Sequence, residues 1–427
     1  MTDLAIKGGS KTICHNFKLY NTIGNNEIKS VTKVLKSGVL SPYLGAWNNI
    51  PNIGSFYGGK KVNEFENYIK SYFSVKHAIT VNSWTSGLIT AIGSLDIEPG
   101  DEIIVSTWTM CATATAIINW MAVPVFADIN KDTFNIDPKS IVKNITNKTR
   151  AIVAPDIFGQ STEIDEIKKI AKQKKIKIIS DSAQSIASKY KNKFSGTLVD
   201  IGGFSLNYHK HIQTGEGGIL ITNSDRLAQR MRLIRNHGEA VVYDKKVKKI
   251  NNIIGYNFRM GEIEAAIGIE QLKKLESIVK SNQQKAELLN RGLSNLKGLK
   301  TPIVCKYNSH VYYYYAMLVD QKITKVHRDK IYNALIAEGV PLFKNYTLVH
   351  LLPMYQRKIA FGNKGYPWVK NVYKGNVSYK KGICPVAENI NENQYLGLPM
   401  CNYNFTRKDI QLIIKAFKKV WKNIYKL

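Results

Sequence analysis

The chain has 427 residues, 44% hydrophobic and 22% charged, with 61 Lys+Arg against 32 Asp+Glu and a net charge of +29. This is the composition of a folded, soluble protein too long for a single core, so two domains are expected, and no apolar stretch reaches the length of a membrane span. Cys14, Cys111, Cys305, Cys384 and Cys401 are scattered without C-x-x-C spacing, which disfavours a disulfide framework and a zinc site. The N-terminal MTDLAIKGGSKTICHNF has no charged region followed by a long apolar run, so no secretory leader is expected and a cytoplasmic address follows. A pI of about 9.7 invites a nucleic-acid reading. The lysines, however, run through the whole chain, as in KKIAKQKKIKII and IIKAFKKVWKNIYK, and no zinc-finger, RNP or basic-zipper pattern accompanies them. A solvated lysine surface accounts for the charge, with attraction of an anionic small substrate and adventitious polyanion binding as the other readings, and nucleic acid is not an expected partner.

From about residue 77 to 223, apolar runs of strand length alternate with helical segments, the pattern of a mostly parallel sheet covered by helices. HAITVN precedes a helix from about Thr85; EIIVS precedes ATATAIINWM; VPVFAD leads through NIDP to SIVKNI. RAIVAPDIF then leads through Ser161 into STEIDEIKKIAKQKK, and IKIISDS, IGGFSLN and GGILITN follow. After Gly261 the stretch EIEAAIGIEQLKKLESIVKSNQQKAELLNRGL predicts one long helix. It carries the chain from a large α/β domain with an N-terminal arm (1–275) into a smaller α+β domain (276–427). There HVYYYYAMLV predicts a strand, HRDKIYNALIAEGV a helix, and Ile410, Ile413, Ile414, Phe417, Val420, Trp421 and Ile424 the core stripe of a final helix. The segment 354–404, rich in Gly, Asn, Tyr and Pro, predicts long connecting loops that carry specificity.

Ligands of such sheets gather at strand C-terminal ends, where Asn82 to Ser86, Asp181, Ser205 and Lys210 all fall. Lys210 lies in FSLNYHKHIQTGEGG, between a predicted strand and a glycine-rich turn, and Asp181 closes the strand of IKIISDSAQ. The pair suggests pyridoxal phosphate (PLP) chemistry, in which a lysine amine condenses with the cofactor aldehyde and a carboxylate holds the ring nitrogen protonated. His209 and His211 flank the lysine as packing or hydrogen-bonding residues.

VNSWTSGL, STWTMCATATAI, FGQ, ISDSAQ, FSLNYHKHIQTGEGG, RNHGE and IGYNFRMGEIEAAIGIEQL occur in the order and spacing of the DegT/DnrJ/EryC1/StrS aminotransferases, which the chain resembles over roughly residues 20 to 300. The resemblance implies the aspartate aminotransferase fold type and amino-sugar formation, chiefly on nucleotide-linked keto sugars. It matches Lys210 to the lysine that joins the cofactor and then shuttles a proton, Asp181 to the pyridine-nitrogen partner, and Gln184 to a residue near the ring hydroxyl. It matches Thr85, Ser86 and Ser205 to phosphate-binding positions, where hydroxyls and N–H groups at a helix start complement an anion. Asn257 matches an asparagine reaching the phosphate in the neighbouring subunit, which implies a homodimer with active sites at its interface. Arg259 is read as organising that loop.

Two departures stand out. Ser83-Trp84-Thr85 replaces the usual Ser-Gly-Thr, putting an indole beside the phosphate loop; Trp108-Thr109-Met110 has methionine where a second aromatic is usual, so Trp108 or Met110 is expected to cover the ring. One branch of the family has histidine in place of the lysine and dehydrates the sugar. Lysine at 210 implies transamination from glutamate or glutamine to a keto sugar, with a nucleotide-diphosphate 4-keto-6-deoxy sugar as the implied acceptor, and sugar 3-ketones and keto-cyclitols within range. The alternatives are a PLP-dependent sugar dehydratase and a non-catalytic regulatory or polyanion-binding protein on the same fold.

Overall fold

The computed structural model describes residues 3–46 and 53–427. The N-terminal arm is pinned by a buried carboxylate: Glu338 accepts hydrogen bonds from the Ala5 N–H at 2.8 Å, the Thr12 N–H at 3.0 Å and Lys419 Nζ at 3.0 Å. The chain continues through helices α1 (Asn25–Ser37) and α2 (Lys60–Phe73) into strand β1 (His77–Val81). Val62, Phe65, Ile69 and Phe73 recur at helical spacing and bury one face of α2. Its Glu66 accepts hydrogen bonds from the Thr80 N–H at 3.0 Å and from Arg235 Nη1 at 2.6 Å, which ties the helix to β1.

The alternation then unfolds as expected: α3 (Trp84–Gly93), β2 (Glu102–Ser106), α4 (Cys111–Ile118), β3 (Val123–Ala127), α5 (Pro138–Asn144), β4 (Thr149–Pro155), α6 (Ile164–Lys174) and β5 (Lys177–Asp181). A small hairpin, β6 (Lys189–Tyr190) and β7 (Lys193–Phe194), precedes β8 (Ile201–Ser205), β9 (Gly218–Thr222) and α7 (Asp225–Arg235). Seven strands form one sheet in the order β1-β9-β8-β5-β4-β2-β3. β9 pairs antiparallel with both neighbours, so β1 and β8 point the same way, and β8, β5, β4, β2 and β3 pair parallel. The C-terminal ends of β1, β2, β4, β5 and β8 therefore share one edge. Nearly every residue of these strands is buried, as continuous apolar runs covered on both faces require.

Helix α8 (Glu262–Leu293) packs on α1 and α2 with its first half and on the C-terminal helix with its second. Residue 275, the expected domain boundary, lies inside it. Beyond it come β10 (Leu299–Lys300), β11 (Tyr314–Val319), α9 (Gln321–Thr324), α10 (Arg328–Ala337), α11 (Pro353–Arg357), α12 (Pro385–Asn393), β12 (Tyr395–Pro399) and α13 (Arg407–Lys422). The three strands form a second sheet that shares a second core with α10 and α13, whereas the buried residues of α11 and α12 join the core of the large sheet.

Two sequence expectations need correction here. The segment 354–404 is not all connecting loop, because it contains α12 and the fully buried β12, which pairs with β11. The strand expected over 310–319 begins only at Tyr314. Tyr312 is left-handed at φ 53°, and the residues before β11 cross to the loop after β4, with the Val311 N–H on Gly159 O at 2.7 Å and the Tyr313 N–H on Phe158 O at 2.9 Å. Gly159 permits this approach: it has φ 122°, and a Cβ there would lie 2.7 Å from the Tyr312 nitrogen. No helix among the described residues is long and apolar enough to cross a membrane.

Candidate active site

The shared edge of the sheet opens into a cavity of about 240 Å³ lined by Ser83 to Thr85, Thr109, Met110, Thr113, Asp156, Asp181, Gln184, Ser205, His209, Lys210, Tyr313 and Tyr346. Asp156 and Asp181 come from the ends of β4 and β5 and Ser205 from the end of β8. The turn carrying Lys210 is closed by its own backbone: the Lys210 N–H donates to Asn207 O, Leu206 N–H to Gly217 O and Thr214 N–H to Leu206 O. This folds the lysine back over the sheet, 8% exposed.

Lys210 Nζ sits 4.4 Å from the centre of the Tyr313 ring and 3.4 Å from its hydroxyl. Burial pushes the Lys210 amine down to about 8, against the opposing pull of Asp181. Burial also pushes His209 and His211 down to about 4, so both are neutral near pH 7. His211 is turned away from the cavity and its ring Nε2 is 2.8 Å from Val311 O, while its own carbonyl accepts from the Tyr20 hydroxyl at 2.7 Å.

Asp181 is held from both sides. Its Oδ1 accepts from Trp84 Nε1 at 2.6 Å and from the Ala183 N–H at 3.3 Å, and its Oδ2 accepts from Thr113 Oγ1 at 2.7 Å. Gln184 is fixed at both ends of its amide, accepting from the Phe158 N–H at 2.9 Å and donating to the Tyr346 hydroxyl at 2.8 Å. Tyr346 is placed by α12: its N–H donates to Asn391 Oδ1 at 2.7 Å. Arg328 gathers the carbonyls of Lys344, Tyr395, Asn391 and Glu392 around that same loop.

At the start of α3, Ser83 caps the helix by accepting from the Ser86 N–H at 3.1 Å. Thr85 is exposed at the helix start and lines the cavity, whereas the Ser86 hydroxyl is buried 2.9 Å from the Ser83 hydroxyl, behind the lining. Trp108 is also behind the wall. It is fully buried and stacks on Tyr346 with centroids 5.4 Å apart, so Tyr346, Thr109 and Met110 face the cavity in its place. Asn257 is exposed and outside its own chain's cavity, with Oδ1 accepting from Arg259 Nε at 2.7 Å. The structure thus brings Thr85, Asp181, Gln184, Ser205 and Lys210 to one cavity and leaves Ser86, Trp108 and Asn257 off its lining.

Sequence reasoning missed Thr113 and Tyr346, and took Tyr313 only as part of a loop, Tyr312 to Tyr314, that would decide the acceptor. Thr113 had a usable signal, lying in the first turn of the helix after β2 at the ligand edge. Tyr313 was one of four consecutive tyrosines, Tyr312 to Tyr315, and Tyr346 stands in a loop with no pattern around it.

The donor set suits PLP: a buried amine of lowered proton affinity, a carboxylate with acceptor capacity to spare, and hydroxyls at an open helix start where an anion is favoured. Fold and pocket together are those of a PLP-dependent aminotransferase. The pattern of the DegT/DnrJ/EryC1/StrS aminotransferase family matches residues 43–378, and the chain belongs to that family. It is 32% identical over 363 residues to the spore coat polysaccharide biosynthesis protein SpsC of Bacillus subtilis, covering 83% of this chain and 89% of that one. It is 33% identical over 298 residues to the GDP-perosamine synthase of Caulobacter vibrioides, covering 70% and 79% respectively. Among solved structures, Helicobacter pylori PseC, an aminotransferase involved in pseudaminic acid biosynthesis, superposes with a TM-score of 0.76 at 26% identity, over 96% of this chain and all of that one.

Proposed function

We propose that this enzyme moves an amino group from glutamate or glutamine to a nucleotide-linked keto sugar, with a 4-keto-6-deoxy hexose as the acceptor. The observation that carries the reading is the buried Lys210 amine, its proton affinity lowered, sharing one cavity with the doubly held Asp181 carboxylate. When bound, PLP stores the amino group between the two half-reactions and draws electrons from the reacting carbon. Lys210 holds the cofactor and moves the proton at that carbon. With its proton affinity lowered to about 8, roughly a quarter of the amine is neutral at pH 7.5, against about one part in a thousand for an ordinary lysine. Asp181 would hold the ring nitrogen, Gln184 and Tyr346 would lie beside the ring, and Thr85 and Ser205 would hold the phosphate. The exposed Asn257 serves the partner's site in a homodimer. The relatives named for GDP-perosamine and for UDP-linked amino sugars support a nucleotide-linked acceptor.

A screen of nucleotide-linked keto sugars with glutamate and glutamine, read by product mass, tests the acceptor and the donor together. Amination of a 4-keto-6-deoxy compound is expected; turnover confined to simple keto acids would sink the sugar assignment. Lys210→Ala should lower turnover by at least about 10³-fold in a folded protein, as loss of a proton-transfer group does. A variant that still aminates the sugar at the wild-type rate removes Lys210 from the chemistry.

A further inference from the structure

Trp84 stands where the resemblance leads one to expect glycine, and its side chain has a defined destination. The indole does not project over the helix start. It turns into the sheet, 6% exposed, and fills a slot made by missing side chains. A Cβ on Gly203 of β8 would lie 2.1 Å from two of its ring carbons, and a Cβ on Gly87 of α3 would lie 2.6 Å from a third. Both positions must be glycine for the ring to fit, so the ring's orientation is set by packing on two sides.

That orientation delivers Nε1 to Asp181 Oδ1 at 2.6 Å. With Ala183 N–H on the same oxygen and Thr113 Oγ1 on the other, three donors occupy a carboxylate that offers about four acceptor sites. Rotation of the carboxylate about its last bond would break all three. The indole N–H makes the shortest of them, donates to nothing else, and belongs to a ring packed on two sides.

We propose that Trp84 is a positioning residue for the cofactor: its indole N–H fixes the Asp181 carboxylate so that its remaining acceptor capacity is presented to the pyridine nitrogen. This rests on the assignment of Asp181 made above. Trp84→Phe keeps an aromatic ring in the glycine slot and removes the N–H. Cofactor-free wild type and variant are titrated with PLP and with its 1-deaza analogue, in which C–H replaces the ring nitrogen, following absorbance for Kd.

Loss of a hydrogen bond to a charged group predicts PLP binding about 10- to 100-fold weaker in Trp84→Phe, with Kd for the deaza analogue within about 2-fold of wild type. Equal weakening toward both ligands makes Trp84 a packing residue and overturns the proposal, as does unchanged PLP affinity. Wild-type protein that holds the two ligands equally well overturns the Asp181 assignment itself, a separate result. Replacement of Trp84 by 3-benzothienylalanine, which keeps the fused ring and lacks only the N–H, gives the same reading if the phenylalanine variant folds poorly.

Discussion

Lys210 owes its lowered proton affinity to the exclusion of water, and the same exclusion costs stability. Its proton affinity is lowered from 10.5 to about 8 by burial, so between those values the unfolded chain carries a proton that the folded chain lacks. Stability therefore rises with pH across this window, and the contribution is lost as pH falls through 8. Lys210→Met should stabilise the cofactor-free protein relative to wild type below pH 8, and that advantage should shrink by on the order of 3 kcal/mol by pH 10.5. Urea unfolding of both proteins at the two pH values measures the difference, and a constant gap would show that the amine is hydrated in the free protein. Lys210 and Asp181 were legible in the sequence because Asp181 closes a strand, Lys210 stands in the turn that follows one, and each sits in a local motif. Tyr313 was not: its role arises from a left-handed residue at 312 that bends the chain out of a strand, and nothing local announces where the bend leads.

Among elements, α2 is attached to the sheet by more than its apolar face. Glu66 is 7% exposed and Arg235 fully buried, so the pair has no water to fall back on. Glu66→Ala leaves the guanidinium without its charged partner and should cost about 3–5 kcal/mol in denaturant unfolding. The double replacement Glu66→Leu with Arg235→Met should recover much of this loss; failure to recover would assign the cost to the Thr80 contacts. The strands of the large sheet were readable because both faces are covered and each strand is a plain apolar run. α12 and β12 escaped because PVAENINEN is a weak helix former and YLGLP carries glycine and proline. They form through tertiary contacts: pairing of β12 with β11, the Arg328 guanidinium on their carbonyls, and Asp128 accepting from the Val386 and Ala387 N–H groups at the start of α12.

For the molecule as a whole, an excess of 29 positive charges creates a field that favours an anionic acceptor. Raising salt from about 50 to about 300 mM should lower kcat/KM for a nucleotide-linked sugar several-fold while leaving kcat nearly unchanged. A flat response would leave the lysines as solvating groups only. Glu338 holds Ala5 and Thr12 of the N-terminal arm, and a few positions later the Tyr20 hydroxyl rests on the carbonyl next to Lys210. Clipping the protein ahead of residue 20, or a bulky fusion that pulls that end loose, would thus be felt at the Lys210 turn through one phenol, although the two stretches are nearly two hundred residues apart along the polypeptide.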